Sequence, residues 1–372
     1  MPEASRDLRQ PVSLSQRWHI DLPLLVLLLL LGGFGLLVLY SASGQNIYYM
    51  KRQIMFFILA FGVMFTVAQF RLKTMESWAV WFYGGGVFLL IMVLFFGVGA
   101  KGAQRWLSLG GFRFQPSEIL KLAVPLMVTT YLSARILPPR FKHVFWTLTL
   151  IGVPTLLIMR QPDLGTSLLI ASSGLLVLFF AGLSWKYIFS AVGLVVASAW
   201  PMWQFGLHDY QRQRILTLLN PEEDKLGAGW NIIQSKTAIG SGGFDGKGWL
   251  NGTQSQLNFL PESHTDFIIA VLAEEFGLRG VLLLMTLYIL ILGRGLWIAG
   301  NAQTTFGRLL AGSITFTFFI YIFVNIGMVT GLLPVVGVPL PLVSHGGTSI
   351  VTLMMGFGIL MAVSTERRRV TI

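Results

Sequence analysis

Residues 22–40 read LPLLVLLLLLGGFGLLVLY, an apolar run without a single charge. A transmembrane helix needs about 20 such residues to cross the roughly 30 Å hydrocarbon core of a bilayer. The run is longer than a signal-peptide core, and no small-residue cleavage motif follows it, so we expect a retained membrane helix. Further apolar runs predict spans at 54–70, 79–98, 117–134, 144–159, 165–183, 187–205, 267–293, 309–330 and 346–364. We therefore predict an all-α polytopic membrane protein with ten transmembrane helices.

The composition of the whole chain also indicates a protein that lies in a lipid bilayer. Of the 372 residues, 54% are hydrophobic and only 12% are charged, whereas an average soluble domain is about 25% charged. This excludes disorder, a coiled coil and an ordinary globular enzyme core. Cysteine is absent, which excludes disulfides, thiol nucleophiles and cysteine metal sites. The five histidines are scattered without an HExxH pattern, which argues against a preformed zinc site.

Basic residues fall on alternate connections between the predicted spans. They are concentrated in the N-terminal tail, after the second, fourth, sixth and eighth spans, and in the C-terminal tail. The positive-inside rule places these segments in the cytoplasm, so both termini should lie inside. The net charge of +11 is then an orientation signal that needs no nucleic-acid partner.

The chain 1–372 is interpreted as one integral membrane domain with cytoplasmic tails at 1–20 and 365–372. Residues 206–265 form a long connection on the outer side, and its tryptophans and apolar stretches predict short interfacial helices. The eighth span is interrupted by Glu274, Gly277 and Arg279, which predicts a broken helix. Irregular backbone at this depth is tolerated where it lines a cavity or is buried in protein.

Ionisable residues near the spans are costly, so each is a functional hypothesis. Glu118 and Lys121 follow a proline that marks the start of the fourth span, and their i, i+3 spacing puts them on one face. They are either a structural ion pair or a cation offered to a phosphate or a catalytic carboxylate. Asp163, in the turn RQPDLGTS (160–167), either caps the sixth helix or forms a polar wall of a site.

The densest polar cluster beside an apolar run holds Glu262, His264 and Asp266. Asp266 could cap the eighth helix, but Thr265 could do so equally well. A carboxylate partly desolvated at this interface would have a raised pKa and serve as a general base. The last loop is rich in glycine and proline yet apolar, so we expect it to fold back into the protein, with a structural role for His345.

The absence of two motifs argues against two classes of function. The Gly246–Lys247 pair is not part of a Walker A motif, and no SxxK motif occurs. These absences argue against an ATP-driven pump and against penicillin-type serine acylation.

Four long segments give the chain a family resemblance: RQPDLGTS, the outer segment that ends at Trp249, the segment Gly252–Gly277 and the loop Gly331–Gly347. They resemble the SEDS family of bacterial cell-wall proteins, and GKGWLNGTQSQLNFLPE resembles its elongation members more than its division members. The resemblance runs from the first span to the last. One position departs from it, since the family more usually has tyrosine where this chain has His345.

The resemblance implies a peptidoglycan glycosyltransferase that polymerises lipid II on the outer face of the bacterial cytoplasmic membrane, with inversion, in cell elongation and rod-shape maintenance. The family's essential aspartate corresponds to Asp266, and its Glu and Lys to Glu118 and Lys121. Lys121 and Arg105 would offset charge on the pyrophosphate leaving group. Trp106 would pack under a sugar ring or anchor its loop at the interface.

Several alternatives stay open at this point. Asp266 is either a general base or a ligand of a divalent cation, Mg²⁺ or Mn²⁺, that bridges to pyrophosphate; no cofactor is required otherwise. A lipid II flippase is the main rival function, and a scaffold for a penicillin-binding protein is the third. The resemblance implies a class B penicillin-binding protein as the transpeptidase partner, beside lipid II, the elongation machinery and membrane lipids, with no nucleic acid.

Overall fold

The helices of the computed structural model follow the predicted spans. It describes residues 18–100, 103–109, 112–206, 209–224, 227–256 and 263–366. The α-helices are α1 (Leu22–Ala42), α2 (Ile47–Ala68), α3 (Leu72–Phe96), α4 (Pro116–Ser133), α5 (Phe141–Met159), α6 (Leu164–Phe180), α7 (Trp185–Pro201), α8 (Asp209–Leu219), α9 (Ala228–Gly242), α10 (Thr253–Gln256), α11 (Ile268–Asn301), α12 (Thr305–Val329) and α13 (Gly347–Ser364). The protein is therefore a mostly helical, multi-pass membrane protein.

Each of the ten predicted spans overlaps one helix of the structure. Within the described residues, eight helices are long and apolar enough to cross a bilayer. Outside that set lie α4, which carries Glu118 and Lys121, and α6, which has only 17 residues. The count of ten spans stays a prediction.

Some helices begin earlier than their apolar runs. The second span was predicted at 54–70, but α2 begins at Ile47, where the Asn46 side chain accepts a hydrogen bond from the backbone N–H of Tyr48 (2.9 Å). The first turns of α2 therefore include Lys51 and Arg52, whose side chains are exposed. Long basic side chains at a helix end reach the polar interface, so they do not stop the helix.

A small antiparallel sheet, which the sequence analysis did not predict, connects α3 to α4. Its strands are β1 (Val98–Ala100), β2 (Ala103–Leu109) and β3 (Phe112–Phe114), in the order β1-β2-β3. The strands are three to seven residues long, too short for a clear alternating pattern. Strand β2 carries Arg105 and Trp106.

The broken eighth span is confirmed. Helix α11 runs from Ile268 to Asn301 with one non-helical residue, Gly277 (φ 62°, ψ −159°), a backbone conformation that glycine adopts without steric cost. The segment after α9 packs against the break and replaces its lost hydrogen bonds. Leu278 N–H donates to the Gly243 carbonyl (3.0 Å), while the Glu274 carbonyl accepts from Lys247 N–H (3.0 Å).

The long connection between α7 and α11 contains the predicted short helices, α8, α9 and α10, and a 3₁₀ turn at Pro221–Glu223. Helix α9 packs against α11. Helices α4, α12 and α13 have most of their residues buried and form the interior of the bundle, whereas α7 has no buried residue. A helix that is apolar all round and unburied fits contact with lipid.

Candidate functional site

A cavity of about 240 Å³ lies at the end of the bundle that the charge pattern predicts to face outward. Strand β2, the first turns of α4, α6 and α13, the second half of α12 and the loop after α12 form its walls. Its lining residues are Arg105, Trp106, Gln115, Glu118, Lys121, Asp163, Thr166, Leu169, Tyr321, Gly337, Val338, Pro339, Gly346, Gly347, Thr348 and Ser349. The cavity therefore collects polar groups from segments that are far apart in the sequence.

The polarity of the cavity comes partly from backbone. The amino ends of α4, α6 and α13 all open onto it. Unpaired N–H groups in a first helical turn, together with the positive end of the helix dipole, favour anions. No side chain caps the amino end of α4 or α13. The uncapped amino ends of α4 and α13 on one cavity make a site suited to a phosphate or pyrophosphate group.

Glu118 and Lys121 form a buried ion pair in this wall. Lys121 Nζ donates to Glu118 Oε1 at 2.7 Å, and both side chains are at most one-tenth exposed. Glu118 Oε2 has no hydrogen-bond partner within the part of the chain that the structure describes. Buried carboxylate oxygens are nearly always paired, so a bound hydroxyl or amide N–H would complete the site.

Asp163 combines its two predicted roles. Its Oδ1 accepts from Thr166 N–H at 3.2 Å and caps α6, while its Oδ2 accepts from Thr166 Oγ1 at 3.0 Å and Gln115 Nε2 at 3.3 Å. Arg105 Nε lies 3.8 Å from the same Oδ2, and its guanidinium also donates to the Pro162 carbonyl. Arg105 is thus held over the cavity by the turn before α6.

Tyr321 is a cavity residue that sequence reasoning missed. It is buried in α12, and Lys121 Nζ lies 5.4 Å from the centre of its ring. In the sequence it is one aromatic residue among the phenylalanines of 316–323. Only the packing of α12 against α4 brings it to Lys121, so the sequence offered no signal.

Asp266 borders the cavity through Gly337. A Cβ placed on Gly337 would lie 3.5 Å from Asp266 Oδ2, and Gly337 itself lines the cavity. Helix α11 has Phe267 at its cap position and no side-chain cap. Asp266 therefore lies one residue before the cap, and capping does not account for its carboxylate.

His264 and His345 pack on Tyr49 beside this turn. The Tyr49 ring is centred 4.9 Å from His264 and 5.3 Å from His345. Burial lowers the pKa of His345, and the nearby His264 and Arg52 lower it further. The imidazole of His345 is therefore neutral at pH 7 and adds no cation to the site. His345 packs closely on Tyr49, but its Nδ1 has no hydrogen-bond partner within the described residues, so its structural role stays a prediction.

The structure brings most of the predicted site residues together. Arg105, Trp106, Glu118, Lys121 and Asp163 line one cavity, with Asp266 at its border. His264 instead contacts the aromatic cluster around Tyr49. The remaining predicted residue, Glu262, lies outside the described residues.

The described residues contain no ready-made cluster of metal-ligating side chains. Among residues 18–366, leaving aside the gaps in the description, no group of three or more His, Cys, Asp or Glu could hold an ion. Pyrophosphate oxygens are suitable ligands for a divalent cation bound to Asp266.

Comparisons with known proteins agree with the resemblance. The family model of FtsW, RodA and SpoVE, described as "Cell cycle protein", matches residues 21–369. The chain is 57% identical over 350 residues to the peptidoglycan glycosyltransferase MrdB of Escherichia coli K12, which covers 94% of this chain and 95% of that protein.

Two solved structures share the fold. A chain from a peptidoglycan synthase complex, described as coordinating polymerization and crosslinking, aligns with TM-score 0.80 and 30% identity over 92% of this chain and 97% of its own. The rod shape determining protein RodA of Thermus thermophilus aligns with TM-score 0.71 and 26% identity over 94% and 98%.

Proposed function

The chain belongs to the SEDS family of FtsW, RodA and SpoVE proteins, and we propose that it is a peptidoglycan glycosyltransferase that polymerises lipid II in the bacterial inner membrane during cell elongation. The observation that carries this proposal is the cavity in which the uncapped amino ends of α4 and α13, Arg105 and Lys121 converge beside Asp266. Lipid II has a lipid tail and a pyrophosphate-linked disaccharide head. A polar cavity at the end of an apolar bundle suits both parts.

Pyrophosphate binds at the cationic side of the cavity. The first turns of α4 and α13 present N–H groups, Lys121 offers the ammonium donors that Glu118 does not use, and Arg105 adds a guanidinium. As the bond between the sugar and the pyrophosphate breaks, negative charge grows on the leaving group. Fixed donors at that position stabilise the transition state more than the ground state.

Asp266 acts as the general base. The 4-hydroxyl of the acceptor GlcNAc attacks the anomeric carbon of the donor chain, and the C–O bond to undecaprenyl pyrophosphate breaks with inversion. The proton of the attacking hydroxyl passes to the Asp266 carboxylate. Glu118 Oε2, buried and unpartnered in the described structure, can accept a hydrogen bond from a sugar hydroxyl and orient the substrate.

A flippase is the competing function, and the placement of charge favours the polymerase. Transporters of this size usually hold their binding groups near the membrane midplane. Here the charged groups around the cavity lie in the first turns of α4, in β2 and in the turn before α6. The chain carries no serine acylation motif, so crosslinking requires a partner, for which a class B penicillin-binding protein is the fitting class.

The test is polymerisation of lipid II by purified protein, read as glycan chains on a gel. We expect Asp266→Asn to abolish polymer while the protein still folds and binds lipid II, because the amide cannot accept the proton. Asp245→Asn is the matched control, since Asp245 is an exposed acid of the same outer segment, paired with Arg279 at 2.7 Å. It should polymerise as the wild type does.

Two results would contradict the proposal. Normal polymerisation by Asp266→Asn would remove Asp266 from the mechanism. Movement of labelled lipid II across vesicle membranes by a wild-type protein that forms no polymer would assign the flippase function instead.

A further inference from the structure

The turn that carries Asp266 is tied to the rest of the protein at four consecutive residues. Ser263 Oγ donates to the Ala42 carbonyl at the end of α1 (3.0 Å). The next three residues use their own carbonyls as acceptors. His264 O accepts from His345 N–H (2.9 Å), Thr265 O accepts from Ser344 Oγ (2.5 Å), and Asp266 O accepts from Asn325 Nδ2 (2.9 Å).

Ser344, in the loop after α12, makes several of the hydrogen bonds that hold this turn. Its hydroxyl donates to Thr265 O and accepts from Leu340 N–H (2.8 Å), so one oxygen joins the turn before α11 to the loop. The Ser344 carbonyl accepts from Gln53 Nε2 of α2 (3.1 Å). Ser344 is 1% exposed, so water does not compete for these bonds.

Asn325 joins the same two segments from the bundle interior. It lies in α12 with no exposed surface, and its Nδ2 donates both to Asp266 O and to Val338 O (2.7 Å). A buried amide costs free energy unless it is hydrogen-bonded. Both of its donors are used to tie the loop after α12 to the Asp266 turn.

The loop after α12 also has a strained backbone. Leu342 has φ +60°, which is costly for a branched side chain, and it is buried. Its carbonyl presses against α1 at Gly35, where a Cβ would approach within 2.6 Å. Strained residues persist only where the surrounding structure holds them, and they cluster at functional sites.

We propose that Ser344 and Asn325 are positioning residues that fix the backbone of Asp266 so that its carboxylate stays within reach of the acceptor hydroxyl. This inference rests on the proposed role of Asp266 as general base. A base must lie within about 3 Å of the proton it removes, and an error of about 1 Å can cost about a hundredfold in rate. Neither side chain lines the substrate cavity, so their loss should slow the chemical step and leave substrate binding intact.

The test compares two serines that each donate a buried hydrogen bond between separate elements. Ser344→Ala removes the bond to Thr265 O. Ser313→Ala removes a bond of 2.7 Å from α12 to the Ser173 carbonyl of α6, away from Asp266. Steady-state polymerisation gives kcat and KM for lipid II, and thermal unfolding in detergent gives the loss of stability for each variant.

We expect Ser344→Ala to lower kcat by about tenfold to a hundredfold with KM unchanged, while Ser313→Ala loses similar stability and keeps its kcat. If Ser344→Ala does not fold, Asn325→Ala carries the same expectation. Equal kcat values for Ser344→Ala and Ser313→Ala, with Asp266→Asn inactive, would overturn the positioning role alone. A fully active Asp266→Asn would overturn the proposed function itself.

Discussion

At the scale of single residues, variants of Glu118 and Lys121 distinguish a purely structural ion pair from one that also contacts the substrate. Removing one partner of a buried pair leaves an uncompensated charge and costs about 3–5 kcal/mol, whereas replacing both with neutral groups can cost nothing. We therefore expect Lys121→Met to lower the melting temperature sharply. The double variant Glu118→Gln, Lys121→Met should recover most of the stability.

Activity should not recover with stability. The double variant has lost the ammonium donors that the pyrophosphate requires, so lipid II polymerisation should stay low when it is assayed beside thermal unfolding. If the double variant recovered both stability and polymerisation, the pair would be structural only.

Helix α11 shows, at the scale of an element, how a broken helix is stabilised. Gly277 has φ 62°, and a Cβ there would collide with the backbone of Phe244, Asp245 and Gly246. We expect Gly277→Ala to destabilise the protein by several kcal/mol, because the strain is of the order of 1–3 kcal/mol and the segment 244–246 must also move. Hydrogen exchange of that segment, beside thermal unfolding, measures both effects.

Gly293, in the same helix, is the matched control. A Cβ there meets nothing within 4 Å, so Gly293→Ala should be neutral or stabilise the helix by about 0.5–1 kcal/mol. Equal melting temperatures for the two variants would mean that the break at Gly277 is not held in this conformation.

At the scale of the whole molecule, the orientation of the protein in the membrane is predicted from basic residues that fall on alternate connections between the spans. Because the chain has no cysteine, single-cysteine variants report topology without background. Asn251 and Asn301 are both exposed, the first in the long connection between α7 and α11 and the second at the end of α11. An impermeant maleimide added to intact spheroplasts should label Asn251→Cys and should label Asn301→Cys only after lysis; the reverse pattern would invert the predicted orientation.

The sequence by itself determined that the protein lies in a membrane, where its long helices lie along the chain and where α11 is broken. Apolar runs of about 20 residues are local signals, and Gly277 beside charged residues marks an interruption within one stretch of chain. The sequence also located Glu118, Lys121 and Asp163 of the cavity, because carboxylates and cations near predicted spans are costly and few.

Only the tertiary structure decided how those residues combine. The three-stranded sheet is local, but its strands are too short to show a sequence period. The Lys121–Tyr321 contact and the hydrogen bonds from Ser344 and Asn325 to the Asp266 turn join segments up to about two hundred residues apart, where no sequence period operates. A buried asparagine or serine in an apolar run reads as a tolerated polar residue. Its function depends on which carbonyl lies opposite, and helix packing alone sets that.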